Sequence, residues 1–396
     1  MKEKSDNHTP DKAAALLYKG RALLGSMAAA VILIFSAGTA FAEGITLKVG
    51  VFCGSTWDSD NAGIDSFMEY AADAFQKKEP GTRIEIDHGI REEDYAEELA
   101  QQLLLGTEPD LFFIPSGILE DMTLKDTLLP LDTYLEKDTD AVKGIYPNLL
   151  EGNKTGGSTY ALPVLADPML MCVNFSLLHR FALKTPGREW TWSDFHRICR
   201  QATRDTNRDG EDDYFGIAGY DWKMAAVSDG AGEKSQDEEP DMTDPLVRAS
   251  VRFADEINEL AGRRIVNTDD FQNGIIAFTP VQASVYRKYA VYPYSVLKYS
   301  HFTWSCTEMP AGPSGGNIST ARMLSAGISS ESRHREAAWK FLKFISTDPD
   351  MQSELMSYSY ALPVLRSTVQ KAEEKDRQIN YDCLDRVLET ACVYGP

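Results

Sequence analysis

Ile45, Leu47, Val49 and Val51 alternate with Thr46, Lys48 and Gly50, and this period of two predicts a first strand. From Ile64 the rhythm changes. Ile64, Phe67, Met68, Ala71 and Phe75 recur at helical spacing until Pro80-Gly81 stops them. Arg83–Asp87 alternates again, Tyr95–Leu105 is a second amphipathic helix, and the Leu-Phe-Phe-Ile that follows Asp110 is apolar throughout. An unbroken apolar run suits a parallel strand covered on both faces. Strand, helix, strand, helix, strand predicts an α/β half with a mainly parallel sheet. In such sheets ligands bind beyond the carboxyl ends of the strands. The loop after the first strand therefore places Thr56, Trp57 and Asp58 at a cleft, and the loop after the third places Pro115, Ser116 and Gly117 there.

The most informative stretch is Tyr160–His179. It starts apolar, is cut by Pro163, exposes a polar Asp167-Pro168 step, and resumes as the apolar run Met169–Val173. Short apolar runs bounded by proline read as strand, and an acidic step inside one marks a crossing between sheets. The expectation is a hinge strand joining two α/β lobes, with Asp167 facing the gap. Tyr160-Ala-Leu-Pro-Val returns as Tyr360-Ala-Leu-Pro-Val, which suggests a second extended segment passing between the lobes.

Beyond the hinge, Trp192-Ser-Asp-Phe opens a helix running to about Arg204, and Leu246–Leu260 is helical. Glu233–Asp244 is an acidic, weakly hydrophobic run expected as an exposed loop. Phe271–Phe278 leads into a polar segment, Thr279–Tyr289, whose Ser284 and Tyr286 are expected to look towards the gap. Tyr289–Met309 should return as strands, Pro310–Asn317 as a flexible connection, and Met323–Ile328 as a strand. Ala338, Phe341, Leu342 and Ile345 form a helical stripe, and Asp348-Pro349 caps the next helix.

The first 42 residues stand apart. Lys2, Lys4, Lys12, Lys19 and Arg21 precede the mostly apolar Leu23–Phe35, and Ala40-Phe41-Ala42 supplies the small residues of a signal-peptidase site. The leader is long, so an uncleaved anchor also fits the pattern. Either way the remainder is exported, to the periplasm or the cell surface. Removing residues 1–42, with five Lys/Arg and three Asp/Glu, takes the formal charge from −20 to −22. That surface argues against nucleic-acid or anionic-membrane binding, which need basic patches. It favours neutral or cationic ligands. The six cysteines permit disulfides in an exported chain, although no CxxC occurs, and Cys172 and Cys199 are expected as buried thiols.

Asp205, Asn207 and Asp209, with Gly210 for a sharp bend, match the first half of a calcium-binding loop. Glu211, through its carbonyl, and Asp213 fall where the next ligands belong. The bidentate Glu of the twelfth position is absent, because Gly216 stands there. A calcium site and a solvated acidic turn both fit. No other cofactor is called for. Catalytic signatures are missing: there is no HExxH, no phosphate-binding GxxxxGK[ST], no GxGxxG after a strand, and no histidine pair at metal-ligand spacing. Gly312-Pro-Ser-Gly-Gly has the GxSxG spelling but lies in a Pro/Gly-rich loop rather than a strand-to-helix elbow.

Gly157–Asn174, Trp190–Phe195 (WTWSDF), Asp205–Gly216, Phe271–Phe278 and above all Met309–Val364 occur in an order that resembles the bacterial extracellular solute-binding proteins of the sugar-type group. These are ABC-importer receptors related to the maltodextrin-binding protein. The resemblance covers nearly all of the chain after the leader. It implies a periplasmic-binding-protein-like type II fold, with two α/β lobes joined by three crossovers and a ligand cleft between them. The lobes would be 43–165 with 311–357, and 166–310 with 358–396. By position, the ligand-holding loops fall at Trp57, Asp58, Ser116, Asp167, Trp222, Ser284, Tyr286 and Tyr360. A sugar ligand, a membrane permease as partner, a monomeric state and no catalysis are what the resemblance implies. One departure is that no lipid-attachment cysteine directly follows the signal.

Overall fold

The computed structural model describes residues 44–54, 63–115, 117–232, 239–260, 269–291, 302–376 and 378–393. In chain order the first part runs β1 (Ile45–Cys53), α1 (Ile64–Lys78), β2 (Thr82–Arg91), α2 (Glu92–Leu105), β3 (Leu111–Ile114), α3 (Leu119–Leu124), α4 (Asp132–Lys137) and α5 (Pro147–Glu151). A small hairpin, β4 (Lys154–Thr155) and β5 (Ser158–Thr159), leads into the long strand β6 (Ala161–Asn174). Then come α6 (Phe175–Arg180), α7 (Trp192–Ala202), β7 (Phe215–Ile217), α8 (Trp222–Ser228), α9 (Pro245–Glu259), α10 (Asp269–Gln272), β8 (Ile276–Gln282) and α11 (Ala283–Val291). The chain closes with β9 (Trp304–Thr307), β10 (Thr320–Ile328), α12 (Arg335–Thr347), α13 (Pro349–Tyr358), β11 (Leu362–Pro363), α14 (Arg366–Lys375), α15 (Tyr381–Thr390) and β12 (Cys392–Val393).

Local chemistry accounts for some of these boundaries. Thr191 and Asp194 form a reciprocal capping box at the start of α7. Asp348 accepts from the backbone of Asp350 and Met351, with Pro349 in the first turn of α13. All four residues of β3, which lies between β1 and β10, are buried in the first core cluster together with helix residues such as Phe67 and Phe341.

The strand order is β2-β1-β3-β10-β6-β8-β7, with β9 and β11 also on β6 and β12 on β10. β1 and β3 are parallel as expected. The first half-sheet is nonetheless mixed, because β10 arrives from far along the chain and lies antiparallel to both β3 and β6. β6 is the spine. Residues 161–168 pair with β10, and pairing with β8 begins at Met169. The partner therefore changes at the Asp167-Pro168 step. Proline has no N–H to give to a ladder, so a strand that must change neighbours tolerates it there.

Burial follows the same division. Leu47, Phe67, Phe112, Leu162, Ala326 and Phe341 belong to one buried cluster around the first half of β6. Past the step, Leu170 and Cys172 enter a second cluster, while Met171 and Val173, on the opposite face, enter a third. Alternate residues of one strand reaching two cores is what a sheet covered on both faces requires.

Two expectations are corrected. The polar segment Thr279–Tyr289 is the end of β8 and the start of α11, and Tyr289–Val291 is not strand: α11 begins at Ala283, with Ala283, Tyr286 and Ala290 buried on one helical stripe. Residues 292–301 lie outside the described residues. Nor is Pro310–Asn317 a free connection. Gly312 N and Gly316 N both donate to Ser228 O, Ser314 N donates to Asp229, and Asn317 Nδ2 donates to Trp190 O and Met309 O. A Cβ on Gly312 would lie 2.6 Å from Asp229, and one on Gly315 would lie 2.3 Å from Ser228 O, so the glycines permit this docking.

Candidate functional site

Strand register shows which loops face one another. β1 and β3 run parallel, and Ile114 at the carboxyl end of β3 pairs with Ser325, towards the Thr320 end of β10. That end of β10 is paired with Pro168 of β6. The carboxyl ends of β1 and β3 therefore point towards the step in β6. From the other side, β8 ends at Gln282 opposite Met169, and β7 runs parallel to β8. Their carboxyl ends, which lead into α11 and α8, point at the same step. Segments of three strands lie side by side here: Leu165–Pro168 of β6, Ala321–Met323 of β10 and Leu362–Pro363 of β11.

Asp167 is 7% exposed. Its Oδ1 accepts the Ser284 N–H at 2.8 Å and its Oδ2 accepts the Ser284 hydroxyl at 2.5 Å. Ser284 is the second residue of α11, so its N–H is one of the donors that a helix start leaves without an intrahelical partner. A carboxylate at that end also opposes the positive pole of the helix. One turn later Arg287, also 7% exposed, donates from Nη1 to Tyr360 O at 2.6 Å, Ala361 O at 2.7 Å and Ser359 O at 3.3 Å. α11 thus binds the Asp167 step through its first turn and the Ser359–Ala361 segment through its second.

Trp222 opens α8, whose N-cap Asp221 accepts the Met224 N–H at 2.9 Å. The indole is half-buried, packs against two buried clusters, and has Lys223 Nζ 5.9 Å from its ring centroid. Tyr360 is half-buried, with its carbonyl held by Arg287. Tyr286 differs from the expectation of a side chain looking into the gap. It is 1% exposed, its ring lies edge-on to Trp304, and its hydroxyl accepts the Asn380 N–H at 3.0 Å. Burial pushes that hydroxyl well above the ordinary tyrosine range. Trp57, Asp58 and Ser116 lie outside the described residues.

The geometry therefore brings Asp167 and Ser284 into direct contact and ties Tyr360 to the same helix through Arg287. Arg287 was not legible as a site residue, since nothing in its local pattern distinguishes it from a surface arginine. Gln282 was missed as well. It ends β8 beside the step, and its Oε1 is buried with no hydrogen-bond partner among the described residues. The protein leaves this buried acceptor unsatisfied.

In the acidic loop the oxygens turn onto the loop itself. Asp205 accepts from Arg208 N and Gly210 N, Asp209 from Glu211 N and Asn207 Nδ2, and Asp213 from Thr206 and Asn207. The Thr206 hydroxyl and backbone hold the Asp213 carboxyl below its ordinary value. Among the described residues no group of three His, Cys, Asp or Glu is arranged to hold a metal ion. Ser314 of the GxSxG spelling lies in the docked loop between β9 and β10, with no helix following it.

A sequence profile of the bacterial extracellular solute-binding protein family matches residues 59–352. Curated binding proteins of Brucella abortus and Brucella suis are 23% identical over 297 residues, which is 70% of this chain and 68% of theirs. Among solved structures, the sugar-binding protein MalE of Xanthomonas citri superposes with a TM-score of 0.71 at 18% identity, covering 89% of this chain and 87% of that one. An ABC substrate-binding protein of Listeria monocytogenes, solved with cycloalternan, gives 0.65 at 18% identity, covering 89% and 88%. An open-form sugar transporter of Rhizobium etli gives 0.70 at 17% identity, covering 89% of each chain. The α/β architecture is thus that of the two-lobed binding proteins.

Proposed function

Because the chain belongs to the bacterial extracellular solute-binding protein family, we propose that it is the exported receptor of an ABC importer. It binds a mono- or oligosaccharide between two lobes and delivers it to a membrane permease without chemical change. The lobes are residues 43–165 with 311–357, and 166–310 with 358–396. The observation that carries this reading is the convergence of strand ends: β1 and β3 from one side, β7 and β8 from the other, all pointing at the step in β6. Loops at such carboxyl ends hold ligands in open α/β sheets. The cycloalternan complex of the Listeria protein and the sugar-binding MalE of Xanthomonas citri support this class of ligand.

A sugar offers an apolar ring face to an aromatic such as Trp57 or Trp222, and hydroxyls to acceptors such as Asp58 or Gln282. Closure of the lobes excludes water and strengthens those bonds, so that binding and closure are one event. Residues 1–42 direct export and either leave or tether the receptor, which acts as a monomer. The formal charge of −22 without residues 1–42 keeps in play a second reading, a receptor for a cationic solute such as a polyamine.

A thermal-shift screen of the chain without its leader against sugars, polyamines and peptides decides between them. A ligand at a hundred times its Kd stabilises by about 2.7 kcal/mol. A shift confined to sugars, with a more compact scattering profile, supports the sugar receptor. A shift confined to polyamines replaces it with the cation receptor, and turnover of a sugar would make the chain an enzyme.

A further inference from the structure

Three thiols meet in the second buried cluster. Cys172 of β6 and Cys306 of β9 are direct cross-strand partners, and are 0% and 3% exposed. Residues directly opposite in an antiparallel pair project from the same face. Cys383, also 0% exposed, lies in the first turn of α15. One side chain holds it over the strand: Asn380 Oδ1 accepts Cys383 N at 3.2 Å, while Asn380 Nδ2 donates to Cys306 O at 3.3 Å. The neighbouring Cys306 side chain and burial together raise the Cys383 thiol well above the ordinary thiol range. All three are free thiols here. A lone buried cysteine is an ordinary small hydrophobe. Two thiols of one buried cluster, on separate elements that a single asparagine side chain clamps together, are a different case in a chain destined for an oxidising compartment.

We propose that Cys306 and Cys383 are a disulfide site, which in the exported protein ties α15 to β9 and leaves Cys172 as a thiol beside the bridge. This rests on the export that the receptor reading includes. The bond forms during folding, before α15 covers the strand. The Cys383 thiolate attacks the disulfide of an exported protein oxidant, giving a mixed disulfide and one oxidant thiol. The Cys306 thiolate then attacks the Cys383 sulfur and expels the second oxidant thiolate. Two chain thiols give up two electrons and two protons, and the oxidant disulfide becomes a dithiol. The bridge closes a long loop, and such closures restrict the unfolded chain most.

The full chain is expressed with its leader, recovered after export, denatured without reductant, alkylated, and mapped by mass spectrometry. The expected result is four alkylated cysteines and one cross-linked peptide pair joining Cys306 to Cys383. Reduction should then lower Tm by roughly 5 °C, Cys383→Ser should abolish that reduction-dependent shift, and Cys172→Ser should keep it. Six alkylated cysteines, or a bridge joining any other pair, overturns the proposal. The sugar thermal shift is read on the same preparation. A chain that binds sugar with six free thiols rejects the bridge alone, whereas a bridged chain that binds no sugar rejects the receptor reading alone.

Discussion

The carboxylate of Asp167 grips the second residue of α11, accepting both the backbone N–H and the hydroxyl of Ser284 at 2.8 and 2.5 Å. A strand that changes partners is thereby fastened to the helix that starts at the carboxyl end of β8. Because Arg287 on the same helix holds Ser359–Ala361, α11 acts as a bracket across two of the segments at the step.

Ser284→Ala removes one of the two bonds to Asp167 and leaves the carboxylate one donor short. The expected loss of stability is about 1–2 kcal/mol, read from the midpoint of urea unfolding at unchanged slope. A midpoint equal to that of the wild type would show that the contact contributes nothing.

Arg287→Ala takes a buried donor from the carbonyls of residues 359–361. Hydrogen bonds from charged groups contribute about 1.5–3 kcal/mol each, so the variant should lose at least that much stability. Arg287→Lys should recover only part of it, because an ammonium cannot reproduce the planar fork. Sugar affinity should fall in Arg287→Ala although the side chain is buried, because it holds the Tyr360 segment in place. Titration calorimetry on the two variants tests this.

Trp222→Ala should weaken sugar binding about tenfold, equivalent to roughly 1.4 kcal/mol. Tyr286→Phe is the contrasting case. It removes the hydroxyl that receives Asn380 N–H, and should cost about 1 kcal/mol of stability while affinity stays level. Equal affinities for wild type and Trp222→Ala would move the cleft away from α8.

Asp229 is 2% exposed and accepts the Ser314 N–H at 2.7 Å. Burial raises its carboxyl above the ordinary value, against the opposing effect of that bond. The folded chain therefore keeps this proton to higher pH than the unfolded chain. Between the ordinary carboxylate value and the raised one the unfolded state binds fewer protons, so stability falls as pH rises through that window and stays lowered above it. Asp229→Asn keeps an acceptor for Ser314 and removes the charge. It should raise Tm at neutral pH and flatten the acid side of the Tm profile. A variant less stable than the wild type at neutral pH would contradict this.

In the acidic loop Asp205, Asp209 and Asp213 already accept loop N–H groups, so chelator treatment should leave Tm unchanged. A rise in Tm with millimolar calcium that disappears in Asp213→Asn would instead assign a metal to Asp205, Asn207, Asp209, Glu211 and Asp213.

The sequence by itself determined many of the elements and the step at which the long strand changes partners. Period-two and helical spacings depend on neighbours a few residues away, which is why Ile45–Cys53, Ile64–Lys78 and Trp192–Ala202 could be read directly. The Asp167-Pro168 step was legible for the same reason, as a break in an apolar run. Tertiary structure decided the rest. It put β10 antiparallel between β3 and β6, because pairing between segments more than 150 residues apart leaves no local periodicity. It turned Tyr286 into core and Asp167 into a helix cap, because a side chain's role depends on which helix start or ring lies opposite it. Arg287 drew its meaning from three carbonyls more than 70 residues away, a distance over which no sequence pattern in a single chain carries information.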